Sequence, residues 1–340
     1  MKRFIIPLAS LLLACGASHA QDFYKGKQLS IVVGNAAGGG YDAYARLLQR
    51  HMGRFIPGNP EIVVRNMPGA GGLTLANWLY NDAAKDGTVI GLSSRNSPLE
   101  PVLGNPAARF RTERFVWIGT PTSYEDDAYL LVVRADSKFK TIEDAQKPGD
   151  PIIFGAFANG GSETDLVLVA KEVLKLNLRL IRGYNGTPAV GLAMERGEVD
   201  GRAIGMSSLQ TAYADQLRSG KLRFLAQFGH EKRWSRLPDT PTARELVKGA
   251  DDLAILELAE LPLRVARPYM APPDIPADRA GILKKAFMDA NRDSAYLEEA
   301  KRLQVDISPL PGEAVQATFA EATKIPAAVI ARYKAILAGS

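Results

Sequence analysis

The chain has 340 residues, and its 42 lysine and arginine residues exceed its 37 aspartate and glutamate residues, for a net charge of +5. This length is more than one typical hydrophobic core supports, so two domains are expected. The basic residues are scattered, which argues against nucleic acid as a partner, and no stretch beyond the first twenty residues is apolar for long enough to span a membrane.

The first twenty residues are typical of a secretory signal peptide. Lys2 and Arg3 precede an apolar segment, and residues 18–20 form a small-x-Ala cleavage site. The alternatives are a buried N-terminal helix and an imperfect lipoprotein signal that would place a lipid anchor on Cys15. Cleavage after residue 20 removes the single cysteine of the chain, and with it any disulfide, thiol nucleophile or cysteine-ligated metal.

Residues 29–42 combine a strand, a glycine-rich loop and the beginning of a helix. The β-branched run at residues 31–33 ends at Gly34, residues 38–40 are three glycines, and an amphipathic helix begins near Asp42. Such a junction leaves backbone N–H groups unpaired and directs the positive end of a helix dipole at any ligand above it, which favours an anion. A nucleotide is not indicated, because neither a P-loop lysine nor a G-x-G-x-x-G pattern opens the helix.

The same alternation of strand and helix continues to residue 104. Strands are predicted at residues 61–65 and 88–92, with a helix at residues 73–80 between them. This order indicates a parallel, doubly wound sheet, in which ligands bind beyond the carboxyl ends of the strands. The loops at residues 66–72 and 93–98 lie at those ends, together with the glycine loop. We therefore predict a binding site at this edge of the sheet.

A second α/β unit follows residue 122 and contains a second glycine loop at residues 155–162. Residues 162–165 match a capping box before an apolar helix that extends to residue 174. Another loop, at residues 184–189, precedes a helix that ends near residue 196. The strands predicted for this unit lie at residues 129–134, 152–155, 179–183, 200–205 and 223–228.

The C-terminal part of the chain is predicted to return to the first unit. Its predicted elements are a turn at residues 237–242, a strand at residues 263–270 and helices at residues 277–292, 294–303 and 313–337. The expected organisation is one lobe formed by residues 21–122 and 264–340 and a second lobe formed by residues 123–263. Two lobes joined by at least two crossings favour hinge closure around a ligand.

Five short segments occur in order along the chain: GGGYD at 38–42, NMPGAGG at 66–72, KDGTVIG at 85–91, YNGTPA at 184–189 and PDTPT at 238–242. Together they resemble the Bug (TctC-type) extracytoplasmic solute receptors of tripartite tricarboxylate transporters. The resemblance implies a two-lobed, periplasmic-binding-protein-like (Venus flytrap) α/β fold with a mostly parallel, doubly wound sheet in each lobe. It also implies a periplasmic receptor that closes over a small carboxylate and delivers it to two membrane transporter subunits. We predict that this receptor is a monomer without a cofactor.

The resemblance places the ligand contacts on two loops of each lobe. The carboxylate would be held by backbone N–H groups, hydroxyls and bridging waters, which need small residues more than charged ones. The corresponding residues are Asn35, Ala36, Gly38, Gly39, Gly40, Ser93, Ser94, Arg95 and Asn96 in the first lobe, and Asn159, Gly160, Ser162, Tyr184 and Thr187 in the second. Asp42, at the beginning of the helix after the glycine loop, is a further candidate for contact with a polar group of the ligand.

Several of these residues have a second interpretation. The glycines at residues 38–40 could form a tight turn only, Asp42 could cap its helix, and Ser162 is first interpreted as a cap. Arg95 could bind a second carboxylate in bidentate fashion, or be solvated, or bridge the lobes. Tyr184 could line the pocket or pack under the hinge.

An enzyme, for instance a periplasmic hydrolase, is the competing class of protein. After the signal peptide the chain contains two histidines. His51 lies within a predicted helix, and His230 begins a charged stretch at residues 230–233. No G-x-S-x-G or H-E-x-x-H motif occurs. The acidic run at residues 125–127 is interpreted as a solvated turn rather than a calcium site. We therefore predict no catalytic residue, metal or cofactor. A receptor that presents its ligand to a membrane sensor is the other binding function left open.

Overall fold

The computed structural model describes residues 23–123, 127–157 and 161–338. The predicted signal peptide, Cys15, Asn159 and Gly160 lie outside the described residues. Within the described ranges, none of the helices combines the length and the apolar character that crossing a bilayer requires.

In the described ranges, the strands form one six-stranded and one five-stranded sheet. Their bounds are β1 Gln28–Val33, β2 Glu61–Asn66, β3 Val89–Leu92, β4 Val116–Thr120, β5 Tyr129–Arg134, β6 Ile152–Gly155, β7 Leu178–Ile181, β8 Gly201–Gly205, β9 Leu222–Phe228, β10 Tyr269–Ala271 and β11 Leu310–Pro311.

The strands of each sheet point mostly in one direction. The first sheet has the order β11-β4-β10-β3-β1-β2, in which β1 to β4 point one way and β10 and β11 the other. The second has the order β7-β6-β8-β5-β9, in which β5 runs against the other four. The predicted mostly parallel α/β architecture is therefore confirmed. One reversed strand lies between parallel strands in each sheet, β10 in the first and β5 in the second, and β11 is reversed at an edge of the first.

Helices cover both faces of the first sheet. The α-helices of the described chain are α1 Gly40–Met52, α2 Leu73–Asn81, α3 Ile142–Gln146, α4 Ser162–Val173, α5 Thr187–Glu195, α6 Met206–Ala212, α7 Ala214–Arg218, α8 Ala243–Leu246, α9 Ala250–Glu260, α10 Ala277–Ala290, α11 Ser294–Arg302, α12 Gly312–Ala322 and α13 Ala327–Ala338. Ile31 and Val33 of β1 are buried in one cluster with Leu47 of α1, whereas Val32 is buried in another with Leu75 of α2. Because alternate residues of a strand point to opposite faces, this sheet is doubly wound.

Three regions near the C-terminus differ from the prediction. The strand expected at residues 263–270 is a 3₁₀ helix, Leu261–Val265, followed by the short β10. The helix expected at residues 313–337 is divided into α12 and α13, because Pro326 lacks the N–H that a continuous helix would need. The sequence does not predict α9, because its buried residues are not spaced along one face of a helix. They include Ile255, Leu256 and Leu258.

The two sheets use separate parts of the chain. The first sheet takes its strands from residues 28–120 and 269–311, and the second from residues 129–228. These ranges fall inside the two predicted lobes, whose boundaries stay a prediction. Helix α13 packs against α4 and α9, and its Arg332 forms an ion pair with Asp252 of α9. The last helix therefore lies on α4, which packs on β8 of the second sheet, although the predicted boundaries place this helix in the first lobe.

Candidate ligand-binding cleft

A cleft of about 370 Å³ lies between the two sheets. Its lining comes from the loops that follow β1, β2 and β3 of the first sheet, and from the ends of β6, β7 and β8 of the second. These are the carboxyl ends of parallel strands, which is where open α/β sheets bind their ligands. The edge predicted as a binding site is thus one wall of a cleft.

The predicted site residues divide into three groups. Asn159 and Gly160 lie outside the described residues, and Gly38, Asp42, Ser93 and Asn96 do not line the cleft. Ligand contact by the remaining residues stays a prediction. Those that line the cleft are Asn35, Ala36, Gly39, Gly40, Ser94, Arg95, Ser162, Tyr184 and Thr187.

Three helix N-termini point at the cleft. Helices α1, α4 and α5 are preceded by Gly39, Gly161 and Gly186, and all three glycines line the cleft. No described side chain caps any of the three helices. Their first N–H groups and the positive ends of their dipoles are therefore directed at the same space, which favours an anion there.

Two of the glycine loops nearly touch across the cleft. A Cβ atom added to Gly39 would lie 3.7 Å from Oγ1 of Thr187, and one added to Gly186 would lie 3.4 Å from Cβ of Ala36. Gly186 also has a φ of +83°, a backbone conformation that residues with a side chain rarely adopt. Small residues at these positions therefore let the loops of the two halves approach each other closely.

Arg95 extends from the loop after β3 into the cleft and is only 2% exposed. Its backbone N–H and its Nε both donate to the Tyr41 hydroxyl at 3.1 Å, and its guanidinium lies over the rings of Tyr41 and Tyr129, 5.7 and 5.3 Å from their centroids. Burial alone would raise the pKa of Tyr41, but the charges of Arg95 and Arg267 and the Arg95 hydrogen bonds bring this pKa below its ordinary value. The alternative of a solvated Arg95 is wrong, because the side chain is buried. The side chain instead bridges the two halves of the protein, from Tyr41 on one side of the cleft to Tyr129 on the other.

Ser162 does not cap α4, which corrects the prediction. Gly161 occupies the N-cap position, and the Ser162 hydroxyl instead donates to Oδ1 of Asn96 at 3.0 Å. The Asn96 amide in turn donates to Oδ2 of Asp165 at 2.7 Å. Asn96 therefore connects the loop after β3 to the first turn of α4 from outside the cleft.

Two other predicted residues support the loops rather than line the cleft. The Asp42 carboxylate accepts hydrogen bonds from the Gly38 N–H, Arg46 and Asn66 at 2.9–3.1 Å. Burial opposes ionisation of Asp42, but these hydrogen bonds, that of Arg46 first, hold its pKa below the usual range. Ser93 donates to the Gly72 carbonyl at 3.0 Å. Both side chains thereby fix the shape of a cleft loop.

Sequence reasoning missed several residues of the lining. The sequence predicts the loop at residues 68–72 at the correct edge of the sheet, but the predicted site does not include it, although its three glycines are a usable signal. Tyr129 and Ser208 also line the cleft. Tyr129 begins the reversed strand β5, whose position depends on the tertiary fold and leaves no local pattern.

Gly72 offers a direct test of how tightly this wall is built. Its φ is +98°, and an added Cβ would lie 2.7–2.9 Å from Oγ of Ser97, Oγ of Ser93 and the Ser94 nitrogen. We expect Gly72→Ala to lower the free energy of unfolding by about 2 kcal/mol, measured by urea denaturation. Gly281→Ala is the control, because Gly281 lies inside α10 with open space around it. It should stabilise the protein slightly, and equal effects of the two changes would contradict the steric explanation.

Arg267 and Asp127 form a buried ion pair close to the cleft residues Gly40 and Gly205, with Nη1 3.4 Å from Oδ2. Oγ of Ser207 joins the pair, accepting from Arg267 Nη2 at 2.6 Å and donating to Asp127 Oδ2 at 2.6 Å. The guanidinium also lies 4.2 Å from the ring centroid of Tyr44. Asp127 is thus fully buried, so the interpretation of the acidic run as a solvated turn is wrong at this residue.

The sequence profile described as "Tripartite tricarboxylate transporter family receptor" matches residues 45–332 of the chain. The chain belongs to this family. Membership confirms the resemblance drawn from the five ordered segments, and it identifies the protein as a receptor of a transport system. The match includes the loops of both walls of the cleft from Pro68 onwards.

The receptor is similar to curated and solved relatives over most of its length. It is 27% identical over 303 residues to the "UPF0065 protein in the TAR-I ttuE-ttuC' intergenic region" of Agrobacterium vitis, covering 87% of this chain and 80% of the relative. The periplasmic binding protein BugD aligns with a TM-score of 0.71 at 23% identity, covering 92% of this chain and 98% of BugD. MatC from Rhodopseudomonas palustris, solved with bound malate, aligns with a TM-score of 0.66 at 22% identity, covering 92% and 99%. These structures confirm the periplasmic-binding-protein fold.

Proposed function

We propose that this receptor captures a small organic carboxylate in the cleft and closes around it for delivery to a tripartite tricarboxylate-type transporter. The observation that carries the proposal is the convergence of three uncapped helix N-termini on a cleft that also contains the guanidinium of Arg95. Backbone N–H groups at helix N-termini and an arginine fork are well suited to carboxylate oxygens. A ligand that contacts both walls would favour the closed arrangement through its higher affinity for that state.

We propose the cellular setting on the basis of the family and the N-terminal sequence. Residues 1–20 would direct the chain to the periplasm, where it would act as a monomer and present its ligand to two membrane subunits of the transporter. The relative position of the two walls of the cleft would then differ between the ligand-free and the ligand-bound receptor, and the membrane subunits would recognise this difference.

The character of the cleft supports binding rather than catalysis. Neither described histidine lines the cleft. His51 pairs with Glu299, and the His230 ring stacks on the ring of Trp234. Burial lowers the pKa of His230, so its imidazole is neutral at neutral pH. In the described part of the chain, no cluster of three or more His, Cys, Asp or Glu side chains is arranged to hold a metal.

A thermal-shift screen tests the proposed function. The panel should include malate, adipate and propionate as carboxylates, with a neutral sugar and an amine as controls. A carboxylate at 100 times its Kd is expected to stabilise the protein by about 2.7 kcal/mol, which raises the Tm by several degrees. The shift should grow with ligand concentration, as mass action requires. Stabilisation by the sugar or the amine, with none by any carboxylate, would contradict the proposal.

A further inference from the structure

Two buried charged residues lie in the wall that the second sheet contributes to the cleft. Glu163, the second residue of α4, lines the cleft and is 4% exposed. Arg202 of β8 is 1% exposed, and its Nη2 donates to Oε2 of Glu163. The other oxygen of Glu163, Oε1, is buried without a hydrogen-bond partner among the described residues. A carboxylate with one unsatisfied buried oxygen is costly to keep ionised.

Arg202 connects two of the helix N-termini that point at the cleft. Its Nη1 donates to the carbonyl of Thr187 at 3.0 Å and to the hydroxyl of Tyr213 at 2.6 Å, and Thr187 is the first residue of α5. Glu163 joins the same guanidinium to the first turn of α4. The charge of Arg202 therefore adds to the positive ends of two helix dipoles, and an ionised Glu163 offsets it.

We propose that Glu163 sets how strongly the cleft attracts an anion, an inference that rests on the proposed function and deepens it. The ionised carboxylate neutralises Arg202 and weakens the positive potential of this wall. Once Glu163 is protonated, the charge of Arg202 acts together with α4 and α5 on the bound carboxylate. Because the attraction grows with the charge of the ligand, Glu163 also sets the preference between monoanions and dianions. It acts through Arg202 and is therefore a positioning and tuning residue.

The surroundings of Glu163 define the pH range of this effect. Arg202 on β8 acts on Glu163, and Tyr213 at the end of α6 and Tyr129 on β5 act on Arg202. Further out, Glu195 on α5 acts on Tyr213, and Asp165 on α4 acts on Tyr333 of α13. Burial raises the pKa of Glu163 to about 7, although the charge of Arg202 acts in the opposite direction. Small carboxylates stay ionised near neutral pH, so a change in their affinity there reports on the protein.

The test compares the wild type with Glu163→Gln by calorimetric titration of malate, adipate and propionate at about pH 6.5 and pH 8. We expect the affinity of the wild type for each carboxylate that binds to rise about threefold to tenfold from the higher to the lower pH, the effect of one unit charge at roughly 10 Å in a protein environment. Glu163→Gln should show the higher affinity at both pH values and no pH dependence. The dianions should gain more than propionate does.

Glu172→Gln is the matched control. Glu172 lies near the far end of α4, and its side chain is half exposed, so this variant loses the same charge from the same helix without touching Arg202. It is expected to bind carboxylates as the wild type does, with the same pH dependence. If the role of Glu163 were purely structural, Glu163→Gln would differ from the wild type in thermal stability. The pH dependence of carboxylate binding would then be the same in the variant and in the wild type.

Ligand-free protein supplies a second measurement. The pKa of Glu163 is raised in the folded state, so its contribution to stability is present at low pH and is lost as the pH rises through about 7. The difference in Tm between Glu163→Gln and the wild type should therefore grow from acidic to alkaline pH.

Two outcomes are distinguishable. If carboxylates bind but wild type and Glu163→Gln have equal affinities at both pH values, this inference is overturned and the proposed function stands. If no carboxylate of the panel binds the wild type, the proposed function fails and this inference fails with it.

Discussion

Replacing Arg267 with methionine is expected to lower the free energy of unfolding by about 3–5 kcal/mol. The guanidinium is 1% exposed, and its loss leaves Asp127 as an unpaired charge in the interior. It also removes the hydrogen bond to Ser207 and the contact with the Tyr44 ring. Chemical denaturation monitored by tryptophan fluorescence measures the change. Methionine has a similar volume, so a cavity contributes little to the expected loss.

The control for this prediction lies three residues earlier in the chain. Arg264 pairs with Glu321 on the surface, with both side chains about half exposed, and Arg264→Met is expected to cost less than about 1 kcal/mol. Combining Arg267→Met with Asp127→Asn should recover part of the lost stability, because the unpaired charge is then removed as well. A loss for Arg267→Met as small as that for Arg264→Met would show that the buried pair contributes nothing.

Arg95→Gln is expected to weaken the binding of a dicarboxylate about tenfold to a hundredfold, the value of one charge-assisted interaction in a buried site. The guanidinium lines the cleft and is held by the Tyr41 hydroxyl, so it is oriented before a ligand arrives. A pre-oriented fork loses little entropy when it binds a carboxylate. Titration of succinate and of butyrate, its monocarboxylate analogue, measures the effect, which should be larger for succinate.

Arg95→Lys separates charge from shape. Lysine keeps the positive charge but cannot form the planar fork or the same contacts with the rings of Tyr41 and Tyr129. We expect it to recover only part of the lost affinity for succinate. Equal losses for succinate and butyrate in Arg95→Gln would remove Arg95 from any role in selecting dicarboxylates.

The central strands of the fold could be predicted because burial on both faces leaves a clear signal in the sequence. Strands β5 and β6 have the predicted bounds, since each is an apolar run between turn residues. The short β10 could not be placed correctly, because its position depends on insertion between β3 and β4, whose residues are far away in the chain. Pro326, by contrast, is a local signal for the break between α12 and α13.

The site was predictable at the level of loops and not at the level of individual side chains. Loops at the carboxyl ends of parallel strands follow from strand order alone. The role of Ser162 does not, because the capping pattern is local whereas its actual partner, Asn96, is 66 positions away. The sequence likewise predicts a solvated Asp127, because its partner Arg267 lies 140 positions later in the chain. Polar residues are assigned wrongly where a distant partner competes with a local one.

The close approach of the two glycine loops limits which substitutions can alter the ligand specificity of the receptor. At Gly39 and Gly186 there is no side chain to shorten, so every substitution there narrows the space between the loops and none widens it. A receptor for a bulkier acid would require smaller side chains in place of the larger residues of the lining, such as Phe157 and Tyr184. Laboratory evolution toward larger ligands should therefore accumulate substitutions at the aromatic positions and retain both glycines.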